Sequence, residues 1–180
     1  MKLELKHLAP YLPYGLTGKT KKEIEPWKIV GYKEDSFSIT EPTLLCTHST
    51  YKNVINIWSR NIKPILRPLS DLTKEIEHNG EKIMPILELA KVSDNYFKWE
   101  FNNESLFHKS VFCKHENGWT YRFSINTNGK KFYSINTTFD GIFTQTNDPH
   151  LVMIKLFEMH FDVFGLIDAG LAIDINTLNK

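Results

Sequence analysis

Between Tyr96 and Ile135, β-branched and aromatic residues alternate with polar ones, and this alternation limits the possible folds more than any other feature of the chain. Successive strand side chains point to opposite faces, so Trp119, Tyr121, Phe123 and Ile125 share one face while Thr120, Arg122 and Ser124 share the other. Asn117-Gly118 and Asn128-Gly129 offer the positive φ that tight hairpins require. The run predicts an antiparallel meander of about four strands, packed on one side and wet on the other.

Around that sheet the chain mixes strand and helix signals. Lys28 to Lys33, Phe37 to Thr40 and Leu44 to Ser49 are β-prone runs separated by breakers, and Asn53 to Trp58 alternates imperfectly. Pro64 and Pro68 hold Ile65-Leu66-Arg67 extended, after which Ser70 can cap a short central helix through Ile76, ended by His78-Asn79-Gly80. Glu81 to Lys91 fits either a strand or a broken helix, because Pro85 opposes a continuous one. Asp148-Pro149 starts a helix expected to run to about Ile167 and to end near Gly170. Its narrow polar stripe is Lys155, Glu158 and Asp162; Met153, Leu156, Phe157, Phe164 and Ile167 cover the opposite side. The predicted fold is α+β: an antiparallel β-meander sheet packed against a long C-terminal helix, with a short central helix. With 180 residues and neither repeat nor linker, residues 1–180 read as a single domain.

The charge balance narrows the partners. A formal charge of +1 argues against holding duplex DNA mainly by its phosphates. Only Arg60, Arg67 and Arg122 can clamp a phosphate or a guanine edge with a planar fork, although a local basic patch stays compatible with the composition. Cys46 and Cys113 lie in strand-like apolar runs and read as buried thiols, with no disulfide framework. The N-terminus lacks the uninterrupted apolar stretch of a signal peptide, and no run has the length of a membrane span, so a cytoplasmic location is expected.

Catalytic and metal chemistry leave little trace. His108, Cys113 and His115 form a cluster of zinc-compatible types, yet His108 has the opposite strand parity and no second pair lies nearby; the spacing reads as a sheet histidine beside a buried thiol. His160 stands between Glu158 and Asp162, but helix positions two apart diverge, so it reads as a packed histidine and the two acids as a solvated stripe. There is no P-loop, dinucleotide fingerprint, nucleophile elbow or zincin motif. No cofactor or metal is expected. A hydrolase or nuclease built from scattered residues such as His108, His115 and Asp140, or a protein that sequesters a small signalling molecule, is an alternative without a local motif.

Two segments are hard to explain as scaffold. The Pro/Tyr stretch from His7 to Leu16 reads as an extended arm with turns, and Lys63 to Leu69 sets Lys63 and Arg67 among prolines. Rigid aromatic and basic groups lose little entropy on binding, which makes Tyr11, Tyr14, Lys63 and Arg67 the candidate binding residues. In the structural alternative, both segments tuck Leu8, Leu12, Ile65 and Leu66 over the core.

Leu5 to Leu16 (LKHLAPYLPYGL), Lys63 to Ile76 (KPILRPLSDLTKEI) and His160 to Leu178 (HFDVFGLIDAGLAIDINTL) together resemble a family of uncharacterised small proteins encoded by phages and prophages of Bacteroidetes. The resemblance implies a mobile-element protein acting inside the bacterial host, and it implies no activity, catalytic residue or cofactor. The leading expectation is a non-enzymatic phage or prophage accessory protein that binds a host or phage macromolecule, protein or nucleic acid, through its Pro-rich arms or wet sheet face. The alternative is single-stranded nucleic-acid binding by stacking on Tyr96 or Tyr133, with Lys98, Lys130 and Lys131 nearby.

Overall fold

Glu4 and His7 start the structure by capping one another. In the computed structural model, the backbone N–H of Glu4 donates to His7 Nδ1 at 3.0 Å and the His7 N–H donates back to the Glu4 carbonyl at 3.0 Å. A helical turn α1 (Leu5–Leu8) follows and passes directly into a 3₁₀ helix, Ala9–Tyr14. The Pro/Tyr segment is thus wound rather than extended. Proline forbids a regular α-helix interior, but its fixed φ lies within the 3₁₀ range, so Pro10 and Pro13 are accommodated.

The structure describes residues 2–22, 25–33, 43–50, 53–93, 100–101, 109–114, 120–128, 131–139, 142–144 and 149–178; between 93 and 149 the description is of the backbone. Strands β1 (Thr17–Thr20), β2 (Trp27–Lys33), β3 (Thr43–Thr47), β4 (Ile55–Trp58) and β5 (Ile62–Leu66) come first. After a 3₁₀ turn, Leu69–Thr73, come β6 (Ile76–His78), β7 (Glu81–Ile83) and helix α2 (Pro85–Ser93). Then follow β8 (Glu100–Phe101), β9 (Lys109–Lys114), β10 (Thr120–Asn128), β11 (Lys131–Phe139), β12 (Ile142–Thr144), helix α3 (Pro149–Glu158) and β13 (Ile173–Asp174). The class is α+β with mostly antiparallel sheets. No helix among the described residues is long and apolar enough to cross a membrane.

The chain divides into two compact units. The first, Met1–Pro68 with His160–Lys180, holds a six-stranded sheet in the order β13-β5-β1-β2-β3-β4, antiparallel except where β13 pairs parallel to β5. Alternation in β2 turns Trp27 and Ile29 inward and Lys28 and Val30 outward. With Tyr11, Leu44, Ile62 and Phe161 they build a core whose side chains are almost fully withdrawn from water.

This sheet must curl. Strand β4 lies four places from β5, about 19 Å in a flat sheet, yet only the 3₁₀ turn Ser59–Asn61 joins them, and that reach is at most about 14 Å. Rolling brings the end of β4 back beside the start of β5.

The second unit, Leu69–Met159, holds a five-stranded antiparallel sheet in the order β12-β11-β10-β9-β8 and the hairpin β6–β7. The expected central helix from Ser70 to Ile76 is instead the short 3₁₀ turn followed by β6. Asn79 (φ 52°) and Gly80 (φ 82°) explain the difference: two successive positive φ angles make the turn that folds β6 onto β7, rather than ending a helix. Pro85 opens α2, where its missing N–H costs nothing. The side chains of the expected meander face, Trp119 to Ile125, lie outside the described residues.

The long C-terminal helix is also corrected: α3 spans ten residues and stops at Glu158. His160 takes φ 59°, and Phe161 bridges in parallel to Arg67 through Arg67 N–H to His160 O and Asp162 N–H to Arg67 O, each 2.8 Å. Periodicity continues into Phe164 and Ile167, but backbone pairing with β5's continuation captures the chain first.

Candidate functional site

The four candidate binding residues fall in different environments. Tyr11 is fully buried; its hydroxyl donates to Phe161 O at 2.7 Å and accepts from the Val163 N–H at 3.4 Å. Burial pushes its pKa well above the usual tyrosine value. Its ring meets Phe164 edge-on at 6.3 Å. Arg67 is half-buried and grips residues 160–162 through its backbone, so Tyr11 and Arg67 converge on one structural knot. Tyr14 is half-buried at the end of the 3₁₀ helix. Lys63 is exposed on β5.

Inside the first unit, the knot unites the first and last motif segments with Lys63–Pro68 of the second. His7 from the first segment packs against Phe164 from the last at 5.5 Å, and β13, from the last, pairs with β5. Asp162 corrects the solvated-stripe reading: it is 6% exposed, and its two carboxylate oxygens accept from the amides of Leu166 at 2.9 Å and Ile167 at 2.8 Å. Glu158 does pair on the helix surface, with Lys155 at 3.0 Å. His160 sits in the turn, half-buried, not on a helix face. Leu8, Ile65 and Leu66 are buried, as the cover-strand alternative required, and Leu12 is half-buried.

Lys63 belongs to a different constellation. A cleft of about 210 Å³ opens where the rolled sheet brings the β4–β5 turn against the N-terminal segment and the 160–172 loop. Its floor is Leu3, Ile62 and Leu171, and Lys2, Arg60 and Lys63 line it with Ser59. Beside it, the Arg60 guanidinium lies over the half-buried Trp58 ring, 5.6 Å from the centroid. That contact holds the planar fork at the cleft while covering aromatic surface. Three cations around an apolar floor can hold an anion and bury an apolar part of the same ligand.

The other candidates give less. Cys46 is a buried free thiol whose pKa burial pushes up to about 12, an inert rather than a nucleophilic environment. The side chains of His108, Cys113 and His115 lie outside the described residues, as do those of Tyr96, Tyr133, Lys98, Lys130, Lys131 and Asp140. Among the described residues no group of three His, Cys, Asp or Glu could hold a metal ion. Sequence reasoning missed Lys2, Trp58 and the role of Arg60. The one local trace is Trp58-Ser59-Arg60, an aromatic and a guanidinium two residues apart; the rest needs segments 169 residues apart to meet, from Lys2 to Leu171.

Compared with known proteins, the chain matches no family model, no curated protein and no solved structure.

Proposed function

We propose that the chain is a non-enzymatic accessory protein of a phage or prophage that binds an anionic macromolecule inside the bacterial host through the cleft of its first unit. One observation carries the reading: Lys2, Arg60 and Lys63 gather around an apolar floor of Leu3, Ile62 and Leu171 in one cleft. Lysine, arginine and serine donate hydrogen bonds to an anion and orient it, which supports holding a ligand over turning it over. The mobile-element context rests on the motif resemblance, whose first and last segments, with Lys63–Pro68 of the second, lie in the same unit as the cleft.

The test compares the chain with the double charge reversal Arg60→Glu/Lys63→Glu. Both side chains are exposed, so the variant should keep its stability within about 0.5 kcal/mol while losing at least about tenfold of its affinity for immobilised heparin or polyglutamate. Unaltered affinity in a folded variant sinks the cleft as the binding site.

A further inference from the structure

We infer that Asn79 is a self-modification site: in the turn of the β6–β7 hairpin the chain converts this asparagine to aspartate or isoaspartate, releasing ammonia, with His78 as the proton donor to it. The inference is independent of the cleft and lies wholly within the second unit. The reaction needs the backbone nitrogen that follows an asparagine to reach the side-chain carbonyl carbon, Cγ. Gly80 supplies that nitrogen without a side chain in the way, and even a Cβ added there would meet nothing within 4 Å. Both residues are exposed, so water reaches the site. The turn also opens at little cost: β6 and β7 have three residues each and form a two-stranded sheet of their own, an arrangement that is marginal in isolation. Finally, His78 Nε2 stands 3.2 Å from Asn79 Nδ2, the atom that must depart.

The step balances with water as the sole co-reactant. The Gly80 nitrogen loses its proton to solvent and bonds to Cγ, after which the Cγ–Nδ2 bond breaks. While Nδ2 belongs to an amide it can only donate, and the neutral ring accepts from it. After addition it is an amine with a lone pair; the protonated ring then donates to it, and ammonia leaves instead of an amide ion. The five-membered imide that remains takes up one water at either carbonyl and opens to aspartate or isoaspartate. Both products put a new carboxylate near His78, whose ring already lies 3.9 Å from Glu158 Oε1. Isoaspartate in addition routes the backbone through Cβ, and the added atom disrupts the two-residue turn that sets His78 opposite Glu81.

Peptide mapping by mass spectrometry of the full chain, sampled during incubation at neutral pH, tests this. The readout is a gain of one mass unit in the Asn79 peptide, with the aspartate and isoaspartate forms separated by chromatography. The same chain unfolded in urea supplies the reference rate, and its other two Asn-Gly pairs, Asn117-Gly118 and Asn128-Gly129, calibrate it. Asn79 in the folded chain should react within about tenfold of its unfolded rate, because opening a short hairpin costs little. His78→Gln keeps a hydrogen-bonding side chain that cannot deliver a proton at neutral pH; it should slow the folded chain about threefold or more and the unfolded chain less. An Asn79 peptide that stays intact in the folded chain while reacting in urea overturns the site, since the turn would then protect it. Equal slowing of both states by His78→Gln, or no slowing, overturns the part given to the ring.

Discussion

Tyr11 illustrates how one side chain can take a structural part that its residue type does not announce. A tyrosine in a proline-rich segment reads equally well as a surface anchor, but its hydroxyl spans 150 residues of sequence to satisfy Phe161 O. Tyr11→Phe removes a buried donor and should cost about 1–3 kcal/mol, read as a lower urea midpoint with little change in cleft affinity. His7 ties stability to pH. Burial holds its pKa below the usual 6.5, with nearby Glu4 opposing and Lys6 reinforcing that shift. Its Nδ1 accepts from the Glu4 amide, a bond that protonation at that atom would break. The unfolded chain therefore takes up the proton at higher pH than the folded one, so the contribution is full above the unfolded value and is lost as pH falls through the depressed one. The urea midpoint should fall from about pH 7.5 to about pH 5, and His7→Gln should shrink that fall. An equal decline in the variant would place the effect on other groups.

Among the elements, β1 is the one on which the cleft depends without contributing to it. It separates β2 from β5, and Gly18 lies where a Cβ would stand 3.0 Å from Ile29 Cδ1, Ile62 Cγ1 and the Lys63 carbonyl oxygen. A side chain can rotate away, but the carbonyl of a paired strand cannot. Gly18→Ala should therefore cost about 1–3 kcal/mol and pull β5 out of register at Lys63, measurable as a lowered melting temperature together with weaker cleft binding. Retained melting temperature and affinity would mean that β1 and β5 can separate freely. The elements that sequence anticipated well were local. Lys28 to Lys33 and Leu44 to Ser49 appear as β2 and β3, and Asn53 to Trp58 holds β4, because alternation and breakers act within a few residues. Thr17–Thr20 and Ile173–Asp174 lack that signature and become strands because distant strands offer them hydrogen-bond partners, β2 and β5 for the first and β5 for the second.

At the level of the whole molecule, amino-acid order by itself determined the α+β class, the buried character of Cys46, the extended Pro64 to Pro68 segment and the near-neutral charge that leaves a local patch as the electrostatic resource. These follow from side-chain period, proline geometry and composition, all of which are read within one stretch of chain. Only the tertiary structure decided where α3 stops, that the first and last motif segments form one knot with Lys63–Pro68 of the second, and that Lys2, Arg60 and Lys63 share a cleft. The physical reason is common to all three: each depends on free energy gained between residues far apart in sequence, here backbone pairing of Phe161 with Arg67 and the curling that returns β4 to β5. Helical periodicity persists past Glu158, yet it loses to hydrogen bonds that periodicity does not encode.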